Sequence, residues 1–270
     1  MEENNRKGPG IFYAVVGVAT LVVAIIGATF AYFSASANAT GDTITGGTNS
    51  DLANALSVKV SKVTFSDVAE TISWNLVPAG FANQPASLAD TDVSAAVKAK
   101  CVNSGYTGCH IWKIEAGTKQ VLANANIYLT LNVDATKKDN WAYAVFTATD
   151  LKLDGSDSTG VTIVDAVANG TKGSNDDYTY NYSTTAAGKG TLSSGEVSMD
   201  IHNNANLSAA TFDGDDMTTA SKVYYLMVYL ANTDTPQNTS GDSSETGTYS
   251  GSVSMAAAGG KVSATFTSAS

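Results

Sequence analysis

His110 and His202 are the only imidazoles in the chain, and each lies in a run of strand-forming residues. Neither belongs to a metalloprotease helix pattern, and no Gly-x-Ser-x-Gly turn presents a serine beside a base. Nucleophilic catalysis needs both parts together, so the expectation is a non-catalytic protein. Carboxylates are the other reactive groups, gathered in turns such as Asp154-Gly155-Ser156-Asp157, Asp176-Asp177 and Asp213-Gly214-Asp215-Asp216. Calcium takes several carboxylate and loop-carbonyl oxygens, and the densest set is Asp213, Asp215 and Asp216. Their spacing matches no EF-hand loop or nonapeptide repeat, so the choice is a weak extracellular calcium site or a solvated turn. No other cofactor is expected.

Cys101 and Cys109 are the only cysteines and flank a turn-forming stretch containing Gly105 and Gly108. In an oxidising compartment this reads as a local disulfide, worth about 2–3 kcal/mol through loop closure. Zinc would need more ligands than His110, the one further ligand nearby. Tyrosines recur at 178, 180 and 182 and again at 224, 225 and 229. On a strand, successive positions face opposite ways, so an exposed set of tyrosines would offer stacking surfaces to a sugar or another protein, and a buried set would pack two sheets.

The elements that must position these residues are strands. Leu56, Val58 and Val60 alternate with polar residues, as do Ile127, Leu129, Leu131 and Val133. Further β-type runs cover residues 71–76, 110–115, 141–151, 161–167, 178–182, 196–201, 223–231, 248–255 and 261–267. Ala258-Gly259-Gly260-Lys261 reads as a tight hairpin link. Residues 87–100 are the best helical stretch after the leader. About ten strands without alternating helices predict an all-β fold, an antiparallel β-sandwich of jelly-roll type.

Residues 11–31 form an apolar run preceded by Arg6 and Lys7 and followed by Tyr32-Phe33-Ser34-Ala35-Ser36-Ala37. A basic flank, an apolar core and small exit residues mark export, with cleavage expected in the region of Ala31, Tyr32, Ala35 and Ala37. The run is also long enough to span a bilayer as a retained anchor. The reading is therefore 1–33 signal peptide or anchor, 34–51 flexible segment or donor strand, and 52–270 a single sandwich domain. Net charge is −10, and Glu2, Glu3, Arg6 and Lys7 cancel within the leader, so the exported part is acidic. Such a surface repels nucleic acid and anionic membranes.

Gly27-Ala28-Thr29-Phe30-Ala31-Tyr32-Phe33-Ser34, followed by Thr43-Ile44-Thr45-Gly46-Gly47, resembles the leader exit of the TasA/CalY (camelysin-like) exported proteins of Gram-positive bacteria. The resemblance implies cutting near Ala31 by a dedicated signal peptidase of the SipW type, a jelly-roll domain, and assembly into extracellular fibres of the biofilm matrix. It also implies that an N-terminal segment of one subunit completes the sheet of the next, here through Ala35, Ala37, Ala39, Thr43 and Ile44. The first functional expectation is a structural subunit of a cell-surface or matrix filament. The alternatives are a membrane-anchored surface domain that binds glycan or a protein, and a pilin-like subunit that keeps its N-terminal helix.

Overall fold

The computed structural model describes residues 34–38, 55–65, 68, 76–103, 105–135, 138–168, 183–232, 247–257 and 260–268. In chain order the strands are β1 (Ser34–Asn38), β2 (Leu56–Lys62), β3 (Pro78–Ala79), β4 (Val102–Asn103), β5 (Tyr106–Thr107), β6 (Cys109–Thr118) and β7 (Leu122–Asp134). There follow β8 (Trp141–Thr147), β9 (Thr162–Ile163), β10 (Asp165–Ala168), β11 (Ser183–Ala187), β12 (Lys189–Thr191) and β13 (Glu196–Leu207). The last are β14 (Thr211–Asp213), β15 (Asp216–Thr219), β16 (Lys222–Ala231), β17 (Thr248–Ala257) and β18 (Gly260–Thr267). The one described α-helix, α1, covers Asp90–Lys98.

The all-β expectation holds. One seven-stranded sheet runs β1-β18-β17-β7-β13-β10-β11, and the other runs β12-β8-β16-β6-β2, with β3 on β16 and β9 on β8. Pairing is antiparallel except for β1 with β18 and β3 with β16. Ala257 and Gly260 are partners at the end of the β17–β18 pair, which leaves the expected two-residue link between them.

Alternation builds the core. In the first sheet Leu129 and Leu131 of β7, Val253 and Met255 of β17, and Val262 and Phe266 of β18 turn inward. They meet Trp112 and Ile114 of β6, Val145 of β8, Leu226 and Val228 of β16, and Val58 and Val60 of β2. Each such side chain contributes about 1.5–3 kcal/mol on burial. The opposite face of the first sheet carries polar rows that cross the strands: Ser198, Thr130, Ser252 and Thr265 share one register line.

The second sheet is covered on both faces. Its far side, with Ile111, Ala144, Phe146, Met227 and Tyr229, packs against Val93, Ala96 and Val97 of α1 in a second core. That explains why β8 and β16 read as nearly unbroken apolar runs. Asp92 accepts the Ala89 N–H at 2.8 Å, and acidic residues at the helix start suit its dipole. Lys100 and Cys101 then turn out of the helix at φ 54° and 56°, with Cys101 N–H donating to Ala96 at 3.0 Å.

Two expected elements are corrected. The run 161–167 is not one strand, because β9 pairs with β8 while β10 joins β13 and β11 in the other sheet. Val164, between them, donates to Val145 and accepts from Gly188, so the chain changes sheets there without losing its hydrogen bonds. The run starting at 141 ends as a strand at Thr147, four residues sooner than expected.

Candidate functional site

Ser34–Asn38, which includes the expected assembly positions Ala35 and Ala37, is strand β1. It lies parallel to β18 through five register pairs from Ser34↔Lys261 to Asn38↔Thr265, with Ala35 opposite Val262 and Ala37 opposite Ala264. The first and last described strands are therefore neighbours, at the rim of the first sheet. On its other side β18 is paired with β17 from Ala257↔Gly260 to Ser250↔Thr267. Without β1, the outer N–H and C=O groups of β18 would form a sheet edge, which templates another strand.

The next described strand, β2, belongs to the other sheet, and the strand paired with β1 is β18. A short edge strand of this kind can be exchanged between copies, because the same backbone pairing forms whether it comes from its own chain or another. Ala39, Thr43 and Ile44, like Ala31 and Tyr32 of the cleavage region and the whole apolar run, lie outside the described residues. Among the described residues no helix is long and apolar enough to cross a membrane.

The two histidines are brought together with tyrosines rather than nucleophiles. His110 Nδ1 lies 2.8 Å from Tyr249 Oη, which also accepts the Trp112 indole N–H at 2.7 Å. His202 Nδ1 lies 2.9 Å from Tyr224 Oη. A register irregularity between Asp200 and His202 turns this ring inward beside Ile201. Burial lowers the His202 pKa, the Lys222 charge lowers it further, and the Ala205 carbonyl opposes them. Burial likewise raises the Tyr224 phenol to about 12 and pushes that of Tyr249 far up. These side chains tie the two sheets together.

The acidic turn forms the tip of the β14–β15 hairpin. Lys119 pairs with Asp215 at 2.8 Å, and its hydrogen bond, then its charge, lowers the Asp215 pKa. The Lys59 ammonium, largely buried, pairs with Asp216 and donates to the Met217 carbonyl at 2.7 Å. Two of the three candidate calcium ligands are thus engaged by lysines, and among the described residues no three His, Cys, Asp or Glu side chains converge as a metal site. Asp176 and Asp177 lie outside the described residues.

Cys101 and Cys109 form the expected disulfide, with Cα atoms 4.8 Å apart. It staples the end of α1 to the start of β6 and closes the β4–β5 hairpin. The Tyr row of β16 does not line the surface: Tyr224 enters the inter-sheet core, Tyr229 enters the second core, and half-buried Tyr225 stacks on Phe146 at 5.3 Å. Covering both faces of this sheet buried what alternation alone left open. The tyrosines at 178, 180 and 182 lie outside the described residues.

Sequence reasoning did not find a polar groove at one end of the first sheet, about 580 Å³ in volume, beside Glu196, Asn132 and Lys138. Its floor comes from strands far apart in sequence, so no local motif marks it. No protein-family model matches this chain, and no curated protein matches it.

Proposed function

We propose that the protein is a non-catalytic structural subunit of a cell-surface or extracellular-matrix filament, and that β1 is its assembly strand. The observation that carries this reading is the pairing of the first strand with the last at a sheet rim. In the filament, β1 of one subunit adds to β18 of the next, and its own β18 receives the strand of a third. Each exchange repeats the same contact without closing, which generates a fibre. The signal-like leader, the acidic exterior and the staple at Cys101–Cys109 suit an exported protein.

On this reading the sandwich is a jelly roll, a signal peptidase releases the chain near Ala31, and the mature protein lies outside the cell. An uncut leader would instead hold it to the membrane through residues 11–31. The acidic hairpin tip at Asp213, Asp215 and Asp216 is at most a weak calcium site, since Lys59 and Lys119 already neutralise part of it. The test is to purify the exported protein, determine its N-terminus by mass spectrometry, and compare its assembly with a variant lacking residues 34–50. Filaments or oligomers that vanish on trimming support the proposal, and a monomer unaffected by trimming refutes it.

A further inference from the structure

The groove at the end of the first sheet has a composition that nothing in the filament reading requires. Its floor is the outward face of four neighbouring strands, where Glu196, Asn132, Ser250 and Thr267 share one register line. Asp134 and Thr248 form the next line. Adjacent strands space these groups about 4.7–4.9 Å apart, comparable to the width of a pyranose ring.

The wall is built by a fixed turn. Gly195 has φ +81° and donates to Leu192 at 2.7 Å, Val133 donates to Gly195 at 2.8 Å, and the Ser194 hydroxyl donates to the Glu196 carbonyl at 2.6 Å. A Cβ at Gly195 would lie 2.7 Å from the Lys138 Nζ, so the missing side chain is what lets the ammonium rest on this turn.

Many of the lysines elsewhere have partners within the fold. Lys59, Lys98, Lys113, Lys119 and Lys152 all sit in ion pairs, and Lys189 donates to the Leu88 carbonyl. Among the described residues, no ion pair or side-chain hydrogen bond engages Lys138, Asp134 or the Glu196 carboxylate. The groove thus presents two acceptors, one strong donor, an amide that does both, and several hydroxyls. The apolar side chains of Val133 and Tyr249, which also border it, are buried.

We infer that this groove binds neutral hexosyl units of a polysaccharide. A volume of about 580 Å³ lies within the roughly 300–1,000 Å³ of small-molecule sites, but the lining is polar where those sites are mostly apolar. A ligand must therefore present hydroxyls at short intervals rather than rings or alkyl chains. Two carboxylates disfavour an anionic sugar, and the Lys138 ammonium disfavours a simple cation. Carboxylate, amide and ammonium groups hydrogen-bond vicinal hydroxyls strongly because the charged partner shortens the bond. The groove is open to solvent, with Glu196, Asp134, Thr248 and Ser250 exposed, so a polymer can lie across it.

The test is calorimetric titration of the mature protein with cellohexaose, chitohexaose and a β-1,6-linked N-acetylglucosamine pentamer, with trigalacturonate as the anionic control. At least one neutral oligosaccharide binds with a Kd of about 1 mM or tighter, and Glu196→Ala and Asn132→Ala each weaken it about tenfold or more. Gly195→Ala, which displaces the Lys138 ammonium, weakens it as well, while the melting temperatures of the Glu196 and Asn132 variants confirm that they are folded. The inference is overturned if no neutral oligosaccharide binds at 10-fold that concentration. It is equally overturned if trigalacturonate binds more tightly, or if binding is indifferent to Glu196 and Asn132. Filament assembly is read separately, so either reading can fail without the other.

Discussion

His202 on β13 and Tyr224 on β16 reach across the interior from opposite sheets and meet at 2.9 Å. His110 on β6 and Tyr249 on β17 make the reciprocal contact at 2.8 Å, with the histidine and tyrosine exchanged between sheets. The only two imidazoles of the chain thus act as inter-sheet ties. The first bears on pH. Its pKa is lowered in the fold, chiefly by burial, so the unfolded chain, where histidine titrates near about 6.5, binds the proton more tightly. The stability it contributes is complete above that value and is lost as pH falls through the depressed folded pKa. The urea midpoint therefore drops between pH 7.5 and pH 5, and His202→Gln shows a smaller drop. Equal drops in both proteins contradict the assignment.

Tyr249→Phe removes the hydroxyl shared by the Trp112 indole and the His110 ring, in a site that is 1 % exposed. The expected loss is about 1–3 kcal/mol in chemical denaturation, because two buried polar groups lose one partner. Tyr225→Phe, at a half-buried position, serves as the reference and costs less.

Gly117 on β6 is the place where the β14–β15 hairpin seats. A Cβ there would stand 2.2 Å from Met217 Sδ and 2.8 Å from the Ala210 Cβ. Gly117→Val is expected to destabilise by about 1–3 kcal/mol through overpacking. Adding Met217→Ala recovers part of the loss, and the double-mutant cycle reads that coupling directly.

Much of the fold was legible because alternation is local. β2, β7, β17 and β18 each carry their core face in their own residues, and the Cys101–Cys109 pair needed only a short turn between its members. What could not be read depends on partners distant in sequence. Lys119 and Asp215 are 96 positions apart, Lys59 and Asp216 are 157 apart, and His110 and Tyr249 are 139 apart. The same acidic turn that looked ready for calcium is therefore clamped by lysines no motif could reveal. At Val164 the side-chain pattern continues smoothly while the backbone leaves one sheet for the other, and periodicity does not report which neighbour a strand takes. The polar groove needed the registers of four strands at once.

Reduction of the Cys101–Cys109 disulfide releases α1 from β6 and removes a cross-link spanning 8 positions. Unfolding with and without dithiothreitol is expected to differ by about 2–3 kcal/mol. An unchanged midpoint would show that the helix and the second core hold this corner alone.

The proposed filament rests on β1 pairing with β18 of another copy. Ser36 and Ser263 are register partners, so the variant carrying Ser36→Cys and Ser263→Cys, oxidised during assembly and run on a non-reducing gel, reads the connection directly. The account predicts a ladder of covalent multimers that collapses on reduction. A single monomer band with the new bond closed inside one chain would contradict it.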